Sequence, residues 1–483
     1  MASRTSETYL SRAASELGIY SVLQSSGDTK LLCLQRFIRL FAYGTTTLIL
    51  ALHLSGLGVS DARIGLFMTL TLLGDVVVSL LLTLVADGLG RRRTLAAGGA
   101  LMSASGVVFA VATNYWILLA ASVLGVISPS GNEIGPFRAI EESTLSQLTS
   151  TALRTDIFAW YTLLGNAGVA LGTMTCGWFV QSLLAMDWSA TKAYRLVFWL
   201  YALLGLIKFT LSLLLSERCE PEQVKPHQRS DSTELTDIEA EGLLSDDSEE
   251  RTHSRPEISK PIPSLPKSIW PTISPASRVV LLKICLLFAV DSLASGLVPL
   301  TWITYFFTRK FAISEGTLGS LFFATNICSA ISNLVASSIA RRIGLVKTMV
   351  FTHLPSSIFL SLIPLPSHVG LAVTFLILRS TLQNMDQAPR QAFIAAAVLP
   401  SERTATMGIV NIAKTLSQSA GPAITGWLAG MGRFWIAFIV AGVMKASYDL
   451  AMLKMFTGYR SREEQAREEE EQRSRMERES DPT

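Results

Sequence analysis

The chain has 483 residues, 49% of them hydrophobic and 16% charged, with a formal net charge of +3. A soluble domain of this length could not keep so much apolar surface from water, so the composition places the chain in a bilayer. The near-neutral balance gives no argument for nucleic-acid binding, and five scattered cysteines without CxxC spacing exclude a thiolate metal site.

The N-terminal stretch 1–33 is polar and lacks the basic-then-apolar layout of a removable signal peptide, so it reads as a cytoplasmic tail. Windows of about 20 apolar residues, the length that crosses roughly 30 Å of hydrocarbon, predict six spans at 34–55, 64–86, 95–113, 115–137, 156–184 and 194–216. Residues 217–278 are rich in Ser, Glu, Asp, Pro and Lys without a sustained apolar period, the composition of a disordered cytoplasmic linker. Within it Glu239, Leu243 and Leu244 fit an acidic dileucine pattern, a candidate contact for a sorting adaptor, although so short a pattern arises by chance at least as often. Six further spans follow at 279–307, 316–339, 348–366, 371–395, 405–428 and 432–456, and then a charged cytoplasmic tail at 457–483. The expected fold class is an all-α polytopic membrane protein with twelve transmembrane helices in two six-helix bundles, 34–216 and 279–456.

The two bundles are copies. ADGLGRRRTL at Ala86 to Leu95 returns as ARRIGLVKTM at Ala340 to Met349, each a Gly-turned cationic loop between apolar spans. Ser60, Asp61 and Gly65 match Ser314, Glu315 and Gly319, while Arg154, Thr155, Gly172, Gly177 and Trp178 match Arg403, Thr404, Gly421, Gly426 and Trp427. Glu133 with Pro136 pairs with Asp386 and Pro389. Clusters of Arg and Lys stay on the cytoplasmic side of a bilayer. Arg91, Arg92, Arg93, Arg138, Arg154, Arg341, Arg342, Lys347 and Arg403 all fall on one side, which sets both termini in the cytoplasm. The membrane is the plasma membrane or a vacuolar or endolysosomal one.

Across all twelve spans the chain resembles the major facilitator superfamily. The family signature between its second and third helices runs Gly, three residues, Asp, two residues, Gly, then Arg and Arg or Lys. Asp87, Gly90, Arg91 and Arg92 match it, with Thr83 in the first Gly position. The resemblance implies that Asp87 and Arg91 help a cytoplasmic charge network close one state. It also implies that the first, fourth, seventh and tenth helices line a central cavity, so that Arg39, Glu133, Asp291 and Arg379 point inward. In the second copy Arg341 and Arg342 replace the Asp and its successor, so the network is expected to be asymmetric.

Charges inside a bilayer seldom face lipid, because even the lenient insertion scale puts their cost at about 2.5 to 3.5 kcal/mol. Helical spacing sets Arg379, Gln383, Asp386 and Arg390 on one face of the tenth span, Arg36, Arg39, Tyr43 and Thr47 on the first, and Asn411, Lys414, Thr415 and Gln418 on the eleventh. Arg39, Tyr43, Arg379, Gln383, Asn411, Lys414 and Gln418 are the candidate substrate-cavity residues. Asp291, roughly 18 Å along its helix, is the first candidate for proton coupling and Asp75 the second. Glu133 and Asp386 are assigned to a cytoplasmic gate with Arg138, Arg154, Arg390 and Arg403, beside Asp87, Gly90, Arg91 and Arg92. Structural interhelix salt bridges are the competing reading of every one of these groups.

No P-loop, metal spacing or Ser-His-Asp set is present, so neither a cofactor, a metal nor an enzymatic reaction is expected. The leading reading is a monomeric secondary transporter that exports small organic molecules in exchange for protons. A transporter selective for an organic or inorganic anion is the alternative, motivated by Arg39, Arg379 and Lys414. It fails if those cations all pair with Asp291, Asp75 and Glu133. A nontransporting sensor or scaffold is a third reading, of another class.

Overall fold

The computed structural model describes residues 19–125, 127–128, 136–150, 153–220, 275–397 and 403–456, and all of them lie in one compact unit, Met1–Pro221 with Ile273–Thr483. Glu222–Thr272, which include the dileucine pattern, lie outside the described residues, as do Glu133 and the side chains of Asp87 and Arg403. No strand occurs among the described residues. The first half comprises α1 (Ile19–Gln24), α2 (Gly27–Gly56), α3 (Asp61–Leu89), α4 (Arg91–Val111), α5 (Tyr115–Gly125), α6 (Pro136–Leu148), α7 (Arg154–Ala185) and α8 (Ala190–Leu213). The second comprises α9 (Pro275–Leu297), α10 (Leu300–Phe311), α11 (Glu315–Ile343), α12 (Leu345–Leu362), α13 (Val369–Leu382), α14 (Gln387–Ala397), α15 (Arg403–Gly430) and α16 (Phe434–Phe456).

Among the described residues nine helical segments are long and apolar enough to cross a bilayer, and α5 and α13 are shorter apolar helices. The chain is therefore an integral, multi-pass membrane protein. The repeated basic loops turn through equivalent glycines: Gly90 and Gly344 have φ of 94° and 89°, a region closed to most side chains. Caps are repeated less strictly. Ser26 accepts the Thr29 N–H at 3.2 Å ahead of α2, and Ser314 accepts the Thr317 N–H at 3.4 Å ahead of α11. Short connections between long helices put the basic loops and both ends of the described array on one face, here called proximal. The opposite face, carrying residues 57–60 and 312–314, is called distal.

Three expected spans are broken. The fourth does not run continuously to 137, because α5 stops at Gly125 and α6 continues to Leu148. The seventh breaks ahead of Pro299, which lacks the N–H a continuous helix requires. The tenth turns at Gln383–Asp386 between α13 and α14, so Arg379 and Arg390 do not share one helical face as expected. Ordered structure also exceeds the expected tail and linker boundaries. α2 starts at Gly27, and a 3-10 turn at Glu217–Cys219 follows α8. Ser216 is tied there to Asp28, whose Oδ1 accepts its N–H at 2.9 Å and whose Oδ2 accepts its hydroxyl at 2.5 Å.

The halves meet where α3 crosses α15 and where α7 crosses α11, and repeat-related glycines mark both crossings. A Cβ on Gly65 would sit 2.4 Å from the Pro422 carbonyl oxygen, and one on Gly177 would sit 2.2 Å from that of Glu315. Gly426 and Gly319 occupy the opposing positions. Helices approach this closely only where a side chain is missing. Pro422 bends α15 beside the first crossing, and the next N–H, from Ala423, donates to Thr69 Oγ1 at 3.1 Å across the halves.

Candidate functional site

Each half buries a cluster of charges. In the first half Glu141 of α6 is fully buried and saturated with donors. Its Oε2 accepts Arg39 Nη2 at 2.8 Å and the Tyr161 hydroxyl at 2.6 Å, and its Oε1 accepts Lys208 Nζ at 3.1 Å. Arg36, one turn from Arg39, lies over the Tyr161 ring at 4.4 Å. Four elements thus converge on one carboxylate: α2, α6, α7 and α8. Removing charge from water is tolerated only with such pairing and hydrogen bonding.

In the second half Asp291 of α9 plays the central part. Its Oδ1 accepts Lys445 Nζ at 2.7 Å, and its Oδ2 accepts Arg390 Nη1 at 2.9 Å. Lys445 also donates to Ser295 at 2.7 Å, and Arg390 bonds Asp386 one turn before it. Arg390 therefore belongs to the buried centre together with Asp291, rather than to a separate gate, and Asp386 joins it there. His353 of α12 bonds Asp449 of α16 at 2.9 Å beside this cluster.

The two clusters occupy equivalent spans with two charges exchanged. In the first half the arginine is on the first span and the carboxylate on the fourth; in the second the carboxylate is on the seventh and the arginine on the tenth. The lysine stays in place on the sixth and twelfth spans, within the matching runs Gly205–Leu–Ile–Lys208 and Gly442–Val–Met–Lys445. Glu141, Lys208, Lys445, His353 and Asp449 were missed by the sequence reading. The Gly-x-x-Lys repeat was a visible signal for the lysines. Glu141 had none, because the expected fourth span ended before it.

The cavity candidates separate by pairing. Arg39 is neutralised by Glu141. Arg379 on α13 and Lys414 on α15, both half-buried, form no ion pair or side-chain hydrogen bond among the described residues. Gln383 sits in the turn, Asn411 is exposed, and Gln418 is buried on the face of α15 toward Gly296. Tyr43 lies half-buried on α2. Asp75 is buried in α3 and hydrogen-bonded to the neutral Ser128.

Several contacts of the expected proximal gate residues lie within their own half. Arg138 pairs with Glu142 at 2.6 Å in an exposed bridge, and Arg154 donates to the Ser146 carbonyl at 3.1 Å. The Arg91 and Arg92 N–H groups donate to Glu220 at 2.6 and 3.2 Å beside Gly90, and the Arg91 side chain reaches Gln147 at 2.7 Å. On the distal face, by contrast, the halves are latched together. Asp61 accepts the Tyr305 hydroxyl at 2.6 Å and pairs with Arg309, Ser55 lies 3.3 Å from the Tyr305 hydroxyl, and Tyr194 donates to Glu315 at 2.8 Å. Trp178 donates to Ser320 at 2.8 Å on the same side.

The family model described as Major Facilitator Superfamily matches residues 32–300 and 284–480. An uncharacterized membrane protein of Saccharomyces cerevisiae is 38% identical over 437 residues, 90% of this chain and 95% of that one. The quinolone resistance protein NorA of Staphylococcus aureus is 22% identical over 202 residues, covering 42% of this chain and 48% of its own. Among solved structures, a D-xylose-proton symporter matches with a TM-score of 0.64 at 13% identity, over 90% of this chain and 97% of that chain, a likeness of fold alone.

Proposed function

The chain belongs to the major facilitator superfamily, whose fold serves secondary transport, and from that premise we propose that it moves a small organic anion by alternating access. The observation that carries the reading is the pairing pattern. The buried carboxylates Glu141 and Asp291 are already matched by cations at salt-bridge distance, whereas Arg379 and Lys414 form no salt bridge among the described residues. An embedded cation costs several kcal/mol unless something compensates it, and a half-buried guanidinium and ammonium offer a carboxylate or phosphate group that compensation. The transported molecule is the counter-ion. The condition set by the sequence, that an anion site requires cations left over after pairing, is met by Arg379 and Lys414 but not by Arg39.

The basic proximal loops support a cytoplasmic proximal face with both termini on that side. The Asp61–Arg309–Tyr305 latch then ties the halves together on the outer face. Partial likeness to a quinolone resistance protein supports an organic cargo, and outward movement in exchange for protons is part of the proposal. Asp291 is occupied by two cations, so the proton is accepted elsewhere.

The test is flux in vesicles holding the purified chain, under imposed pH gradients, with organic carboxylates, phosphate and cationic dyes as probes. Gradient-linked carboxylate flux that falls at least about tenfold in Arg379→Ala and Lys414→Ala is expected, the loss of roughly one charge-assisted contact. Flux of cationic dyes alone, unaffected by both substitutions, would overturn the reading.

A further inference from the structure

His353 of α12 stands between two buried carboxylates, and the pairing described above does not use it. Its Nδ1 lies 2.9 and 3.0 Å from the two oxygens of Asp449 on α16, and Ser357 donates to the same carboxylate at 3.4 Å. Facing a carboxylate, Nδ1 acts as the N–H donor, which leaves the lone pair of the neutral ring on Nε2. Nε2 makes no hydrogen bond among the described residues and lies 3.9 Å from Asp291 Oδ1. That same oxygen holds Lys445. Asp449 is 1% exposed and has no Lys or Arg partner among the described residues, so His353 is the cation-capable group that pairs with it there.

We propose that His353 is the proton-binding site of the transport cycle, and that a proton on Nε2 makes Asp291 Oδ1 exchange Lys445 for the imidazolium. This rests on the transporter reading and names its coupling group. The proton arrives from water and stays on Nε2, and no other bond changes. Nε2–H becomes a donor that needs only about 1 Å of movement to reach hydrogen-bond distance from Asp291. Lys445 keeps Ser295 as its acceptor. The tie from α9 to α16 loosens while a tie from α9 to α12 forms, so protonation changes which helix Asp291 anchors. Pro355, two residues beyond His353, removes one backbone bond from α12 and lowers its resistance to that shift.

Asp449 from α16, Asp291 from α9 and Asp386 from the 383–386 turn bring carboxylates to this site, and Lys445 from α16 and Arg390 from α14 bring cations. Tyr448 of α16 turns its ring edge to the imidazole, with centroids 6.1 Å apart. The nearest groups are the carboxylates, and imidazole is the side chain whose charge ordinarily changes between pH 5 and 8.

Hydrogen-deuterium exchange of the full chain in lipid nanodiscs, without substrate, tests the switch between about pH 8 and pH 5.5 after correction for intrinsic rates. Acidification is expected to speed exchange in the segments around Asp291 and Lys445 by about threefold or more. His353→Gln should abolish that response. Asp449→Asn keeps the ring and removes the carboxylate that holds it, and should displace the midpoint of that response. A wild-type response in His353→Gln, an unmoved midpoint in Asp449→Asn, or loss of the response in Asp75→Asn would each overturn the proposal. If the His353-dependent response is present but no organic anion is carried, the substrate reading fails and the proton site stands.

Discussion

Replacing Glu141 by Gln keeps the side-chain shape and deletes the charge that pairs with Arg39 and Lys208. Glu141 is fully buried, Lys208 is 1% exposed, and the Arg39 side chain is 11% exposed, so water cannot take over from the lost carboxylate. Breaking a buried pair from one side costs about 3–5 kcal/mol, which sets the expected loss. The measurement is the unfolding free energy of the full chain in bicelles, with a double-mutant cycle through Lys208→Met. The double variant should recover at least about 1 kcal/mol over Glu141→Gln, because one stranded charge is gone. Arg138→Gln is the control: its partner Glu142 is exposed, and its loss should cost at most about 1 kcal/mol. The second half supplies a stronger test. Asp291 and Arg390 place the carboxylate on the seventh span and the guanidinium on the tenth, so Arg39→Asp combined with Glu141→Arg should regain stability that either change alone loses. If Glu141→Gln stays within about 1 kcal/mol of wild type and shows no coupling to Lys208, the view of the cluster as an electrostatic tie is refuted.

Opening the distal latch with Arg309→Ala should raise maleimide labelling of a cysteine placed at Ser55, while Arg138→Ala should not; equal labelling in both would contradict a latch on that face. Gly177→Val and Gly426→Val would each drive a side chain into backbone at a crossing between halves. Overpacking of this kind costs about 1–3 kcal/mol, which thermal-unfolding scans in detergent would detect as a lowered midpoint, and an unchanged midpoint would refute the close approach. On the proximal face, burial, reinforced first by Asp28, pushes the Cys219 thiol up to about 12. The reactive thiolate is therefore scarce at neutral pH and increases only as pH rises toward that value. Iodoacetamide modification of Cys219 in the folded chain should remain slow from about pH 7 to 9, as followed by mass spectrometry; rapid labelling at pH 8 would count against it.

The sequence by itself determined the membrane class, the duplication and the face on which the basic loops lie, because apolar span length and loop charge are local properties. It also marked the crossing points: Gly65 with Gly319 and Gly177 with Gly426 were legible as repeated pairs, and they proved to be the places where one half touches the other. Individual charged residues were legible as embedded, since the cost of burial follows from the residue and its surroundings in the chain. Their partners were not. Helical periodicity put Arg379 and Arg390 on one stripe, but the turn at Gln383–Asp386 separates them, and one becomes buried on Asp291 while the other has no acidic partner among the described residues. Glu141 escaped notice because the expected fourth span ended at 137, ahead of it. Pairing depends on the rotation of each helix and on where it breaks, both fixed by contacts between residues far apart in the chain, such as Arg39 with Glu141 and Lys445 with Asp291. Only the tertiary structure could decide which cations form salt bridges among the described residues and which do not.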